Sequence, residues 1–401
     1  MVNVMKKIGL LLPGFNYGGA ERVVSRLTHI LSEKYKIYLI LFEDTYIEYD
    51  YLGDLVNLNV KAKNGSFFKL FLALKRTVRL RKVKKNLRLD YVISFLDSPN
   101  IVNILSKTRD CKTGISIRNY SKIENRGSIL STISNMCIKH LYNKADVIIP
   151  VSKVIAESMV KDYGIQQYKL KVIYNPYDIV QIQQLAMEEI EPQYKDFINK
   201  ETTFITVGRH MYQKGFWHLI KAFKLVHDKI KEAKLVIVGK DYQNGKCQKL
   251  IDDLQLNESV LLVGQHSNPF KFIKASAVYV LTSLFEGFPN SMVEAMACGC
   301  PVIAADCKSG PREILYKNPE IGAVCKGIEK ADYGVLVNPL DPQEDWDCST
   351  LHETEIVLAD AMLNLIDDVE LRRIYSLKAF QRAKDYNYEI CKKEYSDIID
   401  V

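Results

Sequence analysis

Short apolar runs rich in β-branched residues alternate along this chain with stretches of helical period, and few folds accommodate that alternation. A strand covered on both faces reads as a continuous apolar run, whereas a covering helix shows apolar residues every three or four positions. Ile8–Pro13 reads as such a strand; Val23, Val24, Leu27, Ile30 and Leu31 follow at helical spacing, and Ile37–Phe42 is a second strand. Tyr91–Leu96, Gly114–Ile117 and Val147–Val151 continue the series. The pattern predicts βαβ units and a Rossmann-like parallel sheet of about six or seven strands.

After Asn175–Pro176 the pattern pauses in a Gln- and Glu-rich stretch, Gln181–Glu191, and restarts at Phe204–Val207. Leu235–Val238, Val260–Val263, Val278–Leu281, Val302–Ala304 and Gly334–Val337 are the strands expected in the second half. The expected fold is therefore α/β, with two Rossmann-like domains facing each other. Their boundaries are 1–176 for the first, 177–200 for a linker and 201–370 for the second, leaving 371–401 as terminal helices. Leu371–Glu394 packs within the second domain or crosses back onto the first; the sequence leaves both open. A length of 401 residues suits two domains, since single cores rarely grow beyond about 250–300 residues.

Hydrophobic residues at 47% and charged residues at 26% fit a soluble globular protein and exclude disordered and fibrous classes. The nine cysteines, an odd number running from Cys111 to Cys391, show no C-x-x-C pair or neighbouring histidines. They read as reduced core thiols rather than zinc ligands or disulfides, which favours a reducing compartment and a cytoplasmic protein. No signal peptide is evident, and the apolar run Ile8–Pro13 falls far short of the ~20 residues that span a bilayer. Charge is uneven: Lys61–Leu89 holds eleven Lys or Arg and no acidic residue, more than the whole chain's net +7.

Ligands of open parallel sheets bind beyond the carboxyl ends of the strands, so the βα loops carry the candidate chemistry. In Pro13–Glu21, Gly18 and Gly19 open a helix directly after a strand and would let a ligand approach the backbone; the plainer reading is a tight turn. Arg209 and Lys214, five apart after the strand ending at Val207, bring two cations to one loop, where a diphosphate suits a planar fork and a point charge. The plainer reading there is a solvated basic loop. In Thr282–Met296 a strand ends, Gly287 and Pro289 shape a turn, and a helix begins near Ser291. Glu294, three residues after Ser291, has the spacing of a capping box, whereas Glu286 lies in the loop and has no such structural role.

Glu286 and Glu294 also match the E-x7-E pattern of retaining glycosyltransferases of GT-B architecture, and EGFPNSMVEAMACGCPVIA and SGPREIL resemble glycosyltransferase family 4. The words YGGAER, VIYNP, VGRH-x3-KG and LVIVG fall in that family's order, so the resemblance covers nearly the whole chain. It implies a nucleotide held on the second domain, with Glu294 binding the ribose hydroxyls and Arg209 and Lys214 neutralising the departing diphosphate. Glu286 and the backbone around Phe288, Pro289, Asn290 and Ser291 would hold the donor sugar, and Gly208, Gly18 and Gly19 would admit the donor closely. It implies transfer with retention of configuration and without a metal. Where many relatives carry a histidine, this chain has Ile115–Asn119. Enzymes of bacterial surface glycans with an Arg-Asn word there lead us to expect Arg118 and Asn119 to line the acceptor or sugar side; a structural salt bridge for Arg118 is the alternative.

The basic segment interleaves Phe67, Phe68, Leu70, Phe71, Leu74, Val78 and Leu80 with Lys and Arg. It reads as a helix with apolar and basic faces lying on an anionic membrane, with nucleic-acid binding or a solvated helix as alternatives. The combined expectation is a retaining transferase that moves a hexose or N-acetylhexosamine from a UDP-sugar to a glycan acceptor, lipid-linked, at the inner face of the plasma membrane. A sugar-nucleotide epimerase of related fold and a catalytically inactive sugar-binding or partner subunit are the competing readings.

Overall fold

The structure, a computed structural model, describes residues 5–16, 18–44, 47–61, 66–119 and 139–401, and of 66–69 the backbone only. Tyr17, Cys137, the 62–65 part of the basic segment and the side chains of Phe67 and Phe68 lie outside the described residues. The chain forms two units, Met1–Tyr177 with Tyr388–Val401, and Asp178–Asn387.

The first unit is built on strands β1 (Lys7–Leu12), β2 (Lys36–Leu41), β3 (Asp54–Asn57), β4 (Tyr91–Phe95), β5 (Lys112–Ile117) and β6 (Val147–Pro150). They form one sheet in the order β3-β2-β1-β4-β5-β6, every pair parallel. Both faces are covered, and the pleat divides β1 between two cores. Ile8, Leu10 and Leu12 join Val23, Val24, Leu27, Ile30 and Leu31 of the helix Gly19–Ser32. Leu11 joins Leu72 and Leu80 of the helix Ser66–Leu87 and Val102 of Asp97–Leu105 on the other face. The strand β3 was not legible because an edge strand of half-exposed, polar-rich residues has no apolar run. Chain order reverses at β1, so the crevice beyond the carboxyl ends of β1 and β4 is this sheet's ligand position.

The second unit contributes β7 (Thr203–Val207), β8 (Lys234–Val238), β9 (Val260–Gly264), β10 (Val278–Leu281), β11 (Val302–Ala305), β12 (Ile328–Lys330) and β13 (Val335–Val337). Their order is β12-β13-β11-β10-β7-β8-β9. Only the short β12, also unforeseen, pairs antiparallel among them. Here the order reverses at β7, which lies between β8 and β10.

Two boundary expectations need correction. The stretch 177–200 is not a free linker: Ile179–Ala186 is a helix, capped by Asp178 accepting from the Gln181 amide, and Ile182 and Ala186 are buried. It packs on the helices Phe270–Lys274 and Asn290–Ala297, and Glu191 accepts from Lys271 at 2.7 Å. The terminal residues divide. Val369–Ala383 packs against Asn290–Ala297 in the second unit, whereas Tyr388–Ile399 packs against Gly19–Ser32 and places Cys391, Tyr395 and Ile399 in the first unit's core.

The described cysteines are all free thiols, buried except Cys348. Among the described residues no helix is long and apolar enough to cross a membrane.

Candidate active site

At the reversal of the second sheet, β7 and β10 are neighbours and their following loops are tied together. The Leu284 amide donates to the Gln213 carbonyl at 2.8 Å, Thr282 Oγ1 to the Lys214 carbonyl at 2.9 Å, and Gln213 Nε2 to the Phe285 carbonyl at 2.8 Å. The approach is close enough to require glycine at 215. Its φ is +58°, and a Cβ would come within 2.5 Å of the Thr282 carbonyl oxygen.

This bracing brings together two of the expected residues, which are 72 positions apart in sequence. Lys214 Nζ donates to Glu286 Oε1 at 2.6 Å, and Ser283 Oγ donates to the same oxygen at 2.7 Å. Glu286 is 8% exposed, so its charge is held by these two donors rather than by water. Gly208 makes room for the Lys214 stem: a Cβ there would stand 3.1 Å from the lysine Cε. Arg209 points outward, with its guanidinium 6.0 Å from the Tyr242 ring centroid and Lys240 Nζ 5.5 Å from the same ring. No carboxylate pairs with Arg209 among the described residues. His210 beside it is 3% exposed; burial lowers its pKa from the ordinary 6.5, so it is a neutral ring and adds no cation at neutral pH.

A third loop supports the second. Ser309 Oγ donates to the Gly287 carbonyl at 2.8 Å, and Gly310, at φ +98°, lies so close to Pro289 that a Cβ would collide with its ring. The capping-box reading of Ser291 and Glu294 fails. The helix runs Asn290–Ala297 with Pro289 at its cap and no side-chain cap, because it starts two residues too early for that spacing. Ser291 Oγ instead accepts from the Tyr279 hydroxyl at 2.7 Å, a hydroxyl whose pKa burial raises and which stays a donor. Glu294 is a buried carboxylate at 1% exposure. Phe288 is buried with its ring 5.3 Å from that of Tyr386, and Asn290 is partly exposed at the loop's end.

In the first unit, Gly18 is the cap of Gly19–Ser32 and offers no side-chain bond. The space its missing side chain leaves is occupied by the carboxylate of Glu21, which would collide with a Cβ there and which meets the positive end of the helix. That favours the plainer, structural reading of Gly18. Arg118 and Asn119 follow β5 at the carboxyl edge of the sheet, and Arg118 Nη1 donates to Asn175 Oδ1 at 2.5 Å. The salt bridge proposed as the alternative role of Arg118 is not formed with any described carboxylate.

Residues 17–181 match the family description Glycosyltransferase Family 4, and 187–333 match Glycosyl transferases group 1. An uncharacterized glycosyltransferase of Methanocaldococcus jannaschii is 36% identical over 360 residues, covering 86% of this chain and 87% of that protein. The chain belongs to glycosyltransferase family 4.

This transferase is also 31% identical over 392 residues, 96% of each chain, to the Campylobacter jejuni N-acetylgalactosamine-N,N'-diacetylbacillosaminyl-diphospho-undecaprenol 4-alpha-N-acetylgalactosaminyltransferase. The solved structure of Anabaena HepE in complex with UDP and glucose superposes with a TM-score of 0.73 at 18% identity, covering 98% of this chain and 99% of that one. That likeness concerns the fold, which is the GT-B class of two Rossmann-like domains. Sequence reading missed Gln213, Ser283 and Ser309, which brace the transferase's glutamate loop. Ser309 lay inside the word SGPREIL and Gln213 only at an unspecified position of VGRH-x3-KG, and neither Gln213 nor Ser283 carries a spacing signal. Among the described residues no cluster of three or more His, Cys, Asp or Glu side chains is gathered as a metal site.

Proposed function

We propose that this transferase moves a hexose or N-acetylhexosamine from a UDP-sugar, with retention of configuration and without a metal, to a lipid-diphosphate-linked glycan at the cytoplasmic membrane face. The observation that carries the reading is the cluster of Lys214, Glu286 and Ser283, with Arg209 on the same loop, at the chain reversal of the second sheet. In glycosyl transfer the sugar ring gains positive charge while negative charge gathers on the leaving diphosphate. Lys214 and Arg209 stabilise the leaving group, more in the transition state than before it. Glu286 Oε1 already accepts two bonds, which fixes the carboxylate so that Oε2 can accept a sugar hydroxyl. Glu294, buried and uninvolved in capping, is the carboxylate assigned to the ribose.

Support for a lipid-linked acceptor comes from the diphospho-undecaprenol named for the Campylobacter relative and from the helix Ser66–Leu87. Leu70, Phe71, Leu74 and Val78 are exposed, as are Lys75, Arg81, Lys82 and Lys85. At 100° per residue all eight fall within an arc of about 140°. This replaces the expected separate faces: the outward arc is mainly apolar in its first half, with Lys75 the exception, and mainly basic in its second, with Val78 the exception, while Leu72, Leu80 and Lys84 turn inward. An apolar strip that continues into cations suits the acyl boundary and headgroups of an anionic bilayer.

The test is transfer from a panel of UDP-hexoses and UDP-N-acetylhexosamines to undecaprenyl-diphosphate-linked sugar in EDTA, with the product anomer read by NMR. Turnover of one donor to an α-linked product is expected. A β-linked product, abolition by EDTA, or epimerised donor without transfer would each defeat the corresponding part of the proposal.

A further inference from the structure

Arg118 differs from the other arginines that the first unit buries or half-buries. Its Nη1 donates to Asn175 Oδ1 at 2.5 Å, but Nε and Nη2, both shielded from solvent, have no hydrogen-bond partner. The groups around it are neutral: the Phe95 ring 5.2 Å from its Cζ, then Tyr177, Tyr395 and Cys391. Burial raises the pKa values of Tyr395 and Cys391, so neither carries a compensating negative charge at neutral pH. The unit therefore holds a guanidinium whose charge nothing described balances, an arrangement that costs stability unless something else answers it. By contrast Arg79 donates to the carbonyls of Leu58 and Asn59, and Arg76, although its Nε also lacks a partner, donates to the carbonyl of Val60, lies over Phe42 and has the Glu43 carboxylate near it.

Three features give the uncompensated charge a direction. Arg118 directly follows β5, at the carboxyl edge of the sheet and next to β4, where ligands of such sheets bind. Nε and Nη2 form one side of the planar fork, the side that spans two oxygens of a phosphate. The segment that holds the fork from behind is itself pinned: Asn175 is 4% exposed, and Arg26 donates to the Pro176 carbonyl at 3.0 Å and lies 5.0 Å from the Tyr177 ring.

We infer that Arg118 is an oxyanion-binding residue of the first unit, which takes a phosphate of one of the transferase's two substrates through Nε and Nη2. The phosphate belongs either to the donor's nucleoside diphosphate or to the acceptor's lipid diphosphate. The inference rests on the proposed function for both sources.

The experiment uses the full chain carrying Arg209→Ala and Lys214→Ala, so that the second unit's cations do not contribute, and inorganic pyrophosphate as probe. Pyrophosphate is expected to raise the melting temperature of this background and to lose that effect when Arg118→Met is added. Equal shifts with and without Arg118 would overturn the inference. In the otherwise unaltered enzyme, Arg118→Met is expected to melt at or above the wild-type temperature while transfer falls by roughly ten- to a hundredfold, the effect of a lost charged hydrogen bond. A higher UDP dissociation constant assigns the donor phosphate, and a higher acceptor KM at unchanged UDP affinity assigns the acceptor. A lower melting temperature with unchanged kinetics would make Arg118 a structural residue. Should Arg118→Met fail to fold, Arg118→Lys, which keeps the charge and loses the fork, must still weaken the pyrophosphate shift. A wild type that binds no UDP would defeat the proposed donor, while the pyrophosphate measurement would still decide the role of Arg118.

Discussion

Lys214 and Glu286 neutralise one another across 2.6 Å, so a diphosphate approaching the lysine must compete with a carboxylate already there. Glu286→Gln should therefore tighten UDP binding, by about fivefold for roughly 1 kcal/mol of repulsion removed. The same change should slow transfer about a hundredfold, since the amide cannot hold a sugar hydroxyl or Lys214 as the carboxylate does. Calorimetry with UDP beside a turnover assay measures both, and weaker UDP binding would show that Glu286 does not oppose the diphosphate. Arg209→Ala and Lys214→Ala should each lower kcat about a hundredfold, or ~3 kcal/mol. They should differ in stability. Arg209 is exposed and unpaired with any described carboxylate, so its loss should change unfolding in urea by less than ~0.5 kcal/mol, whereas losing Lys214 leaves Glu286 with Ser283 alone. Turnover within threefold of wild type in both variants would remove the diphosphate role. At this scale the sequence showed which residue types gather in which loops, but the Lys214–Glu286 pair depends on two loops being tied by Gln213 and Thr282. Spacing along the chain carries nothing about that.

Among the elements, the buried strands were the most legible because a strand covered on both faces must be apolar throughout; β3 and β12 lie at sheet edges and carry no such requirement. The helix Ser66–Leu87 was foreseen as basic, but only its contacts tell which cations are structural. Arg76 and Arg79 donate to the carbonyls of Leu58, Asn59 and Val60, and Lys84, 2% exposed, donates to the Asn103 carbonyl at 3.1 Å. Burial brings the pKa of Lys84 down to about 8, so it is a poor candidate for a membrane contact. On the proposed membrane reading, the cations left for docking are Lys75, Arg81, Lys82 and Lys85, each worth ~1 kcal/mol near an anionic surface. Replacing these four by Gln should abolish co-sedimentation with anionic vesicles at low salt and leave the melting temperature nearly unchanged. Arg79→Gln should do the reverse. Binding that survives the fourfold change, or that is equal on neutral vesicles, would leave the helix as a solvated surface.

At the scale of the whole molecule, the division into two α/β units was readable from the pause after Pro176, but the route of the last residues was not. An amphipathic tail is compatible with either core, and what decides is which core offers a matching face. Val369–Ala383 buries Tyr375 and Ala379 in the second unit, and Arg382 donates to the carbonyls of Glu313 and Ile314 at 2.9 Å. After Asn387 the chain contributes to the first unit instead: Cys391, Tyr395 and Ile399 complete a core with Val23, Leu27 and Leu31, and Lys6 Nζ donates to the Ile399 carbonyl at 2.8 Å. Truncation after Asn387 should therefore damage the unit that is distant in sequence and spare the adjacent one. Three buried side chains at about 1.5–3 kcal/mol each are comparable to the entire 5–15 kcal/mol stability of a typical domain. Calorimetry of the truncated chain should show one transition lowered or lost. UDP, if it binds the second unit as proposed, should still raise the other. Loss of both transitions together would mean that the two units do not melt independently, and an unchanged first transition would mean that Tyr388–Ile399 contributes little to the core it enters.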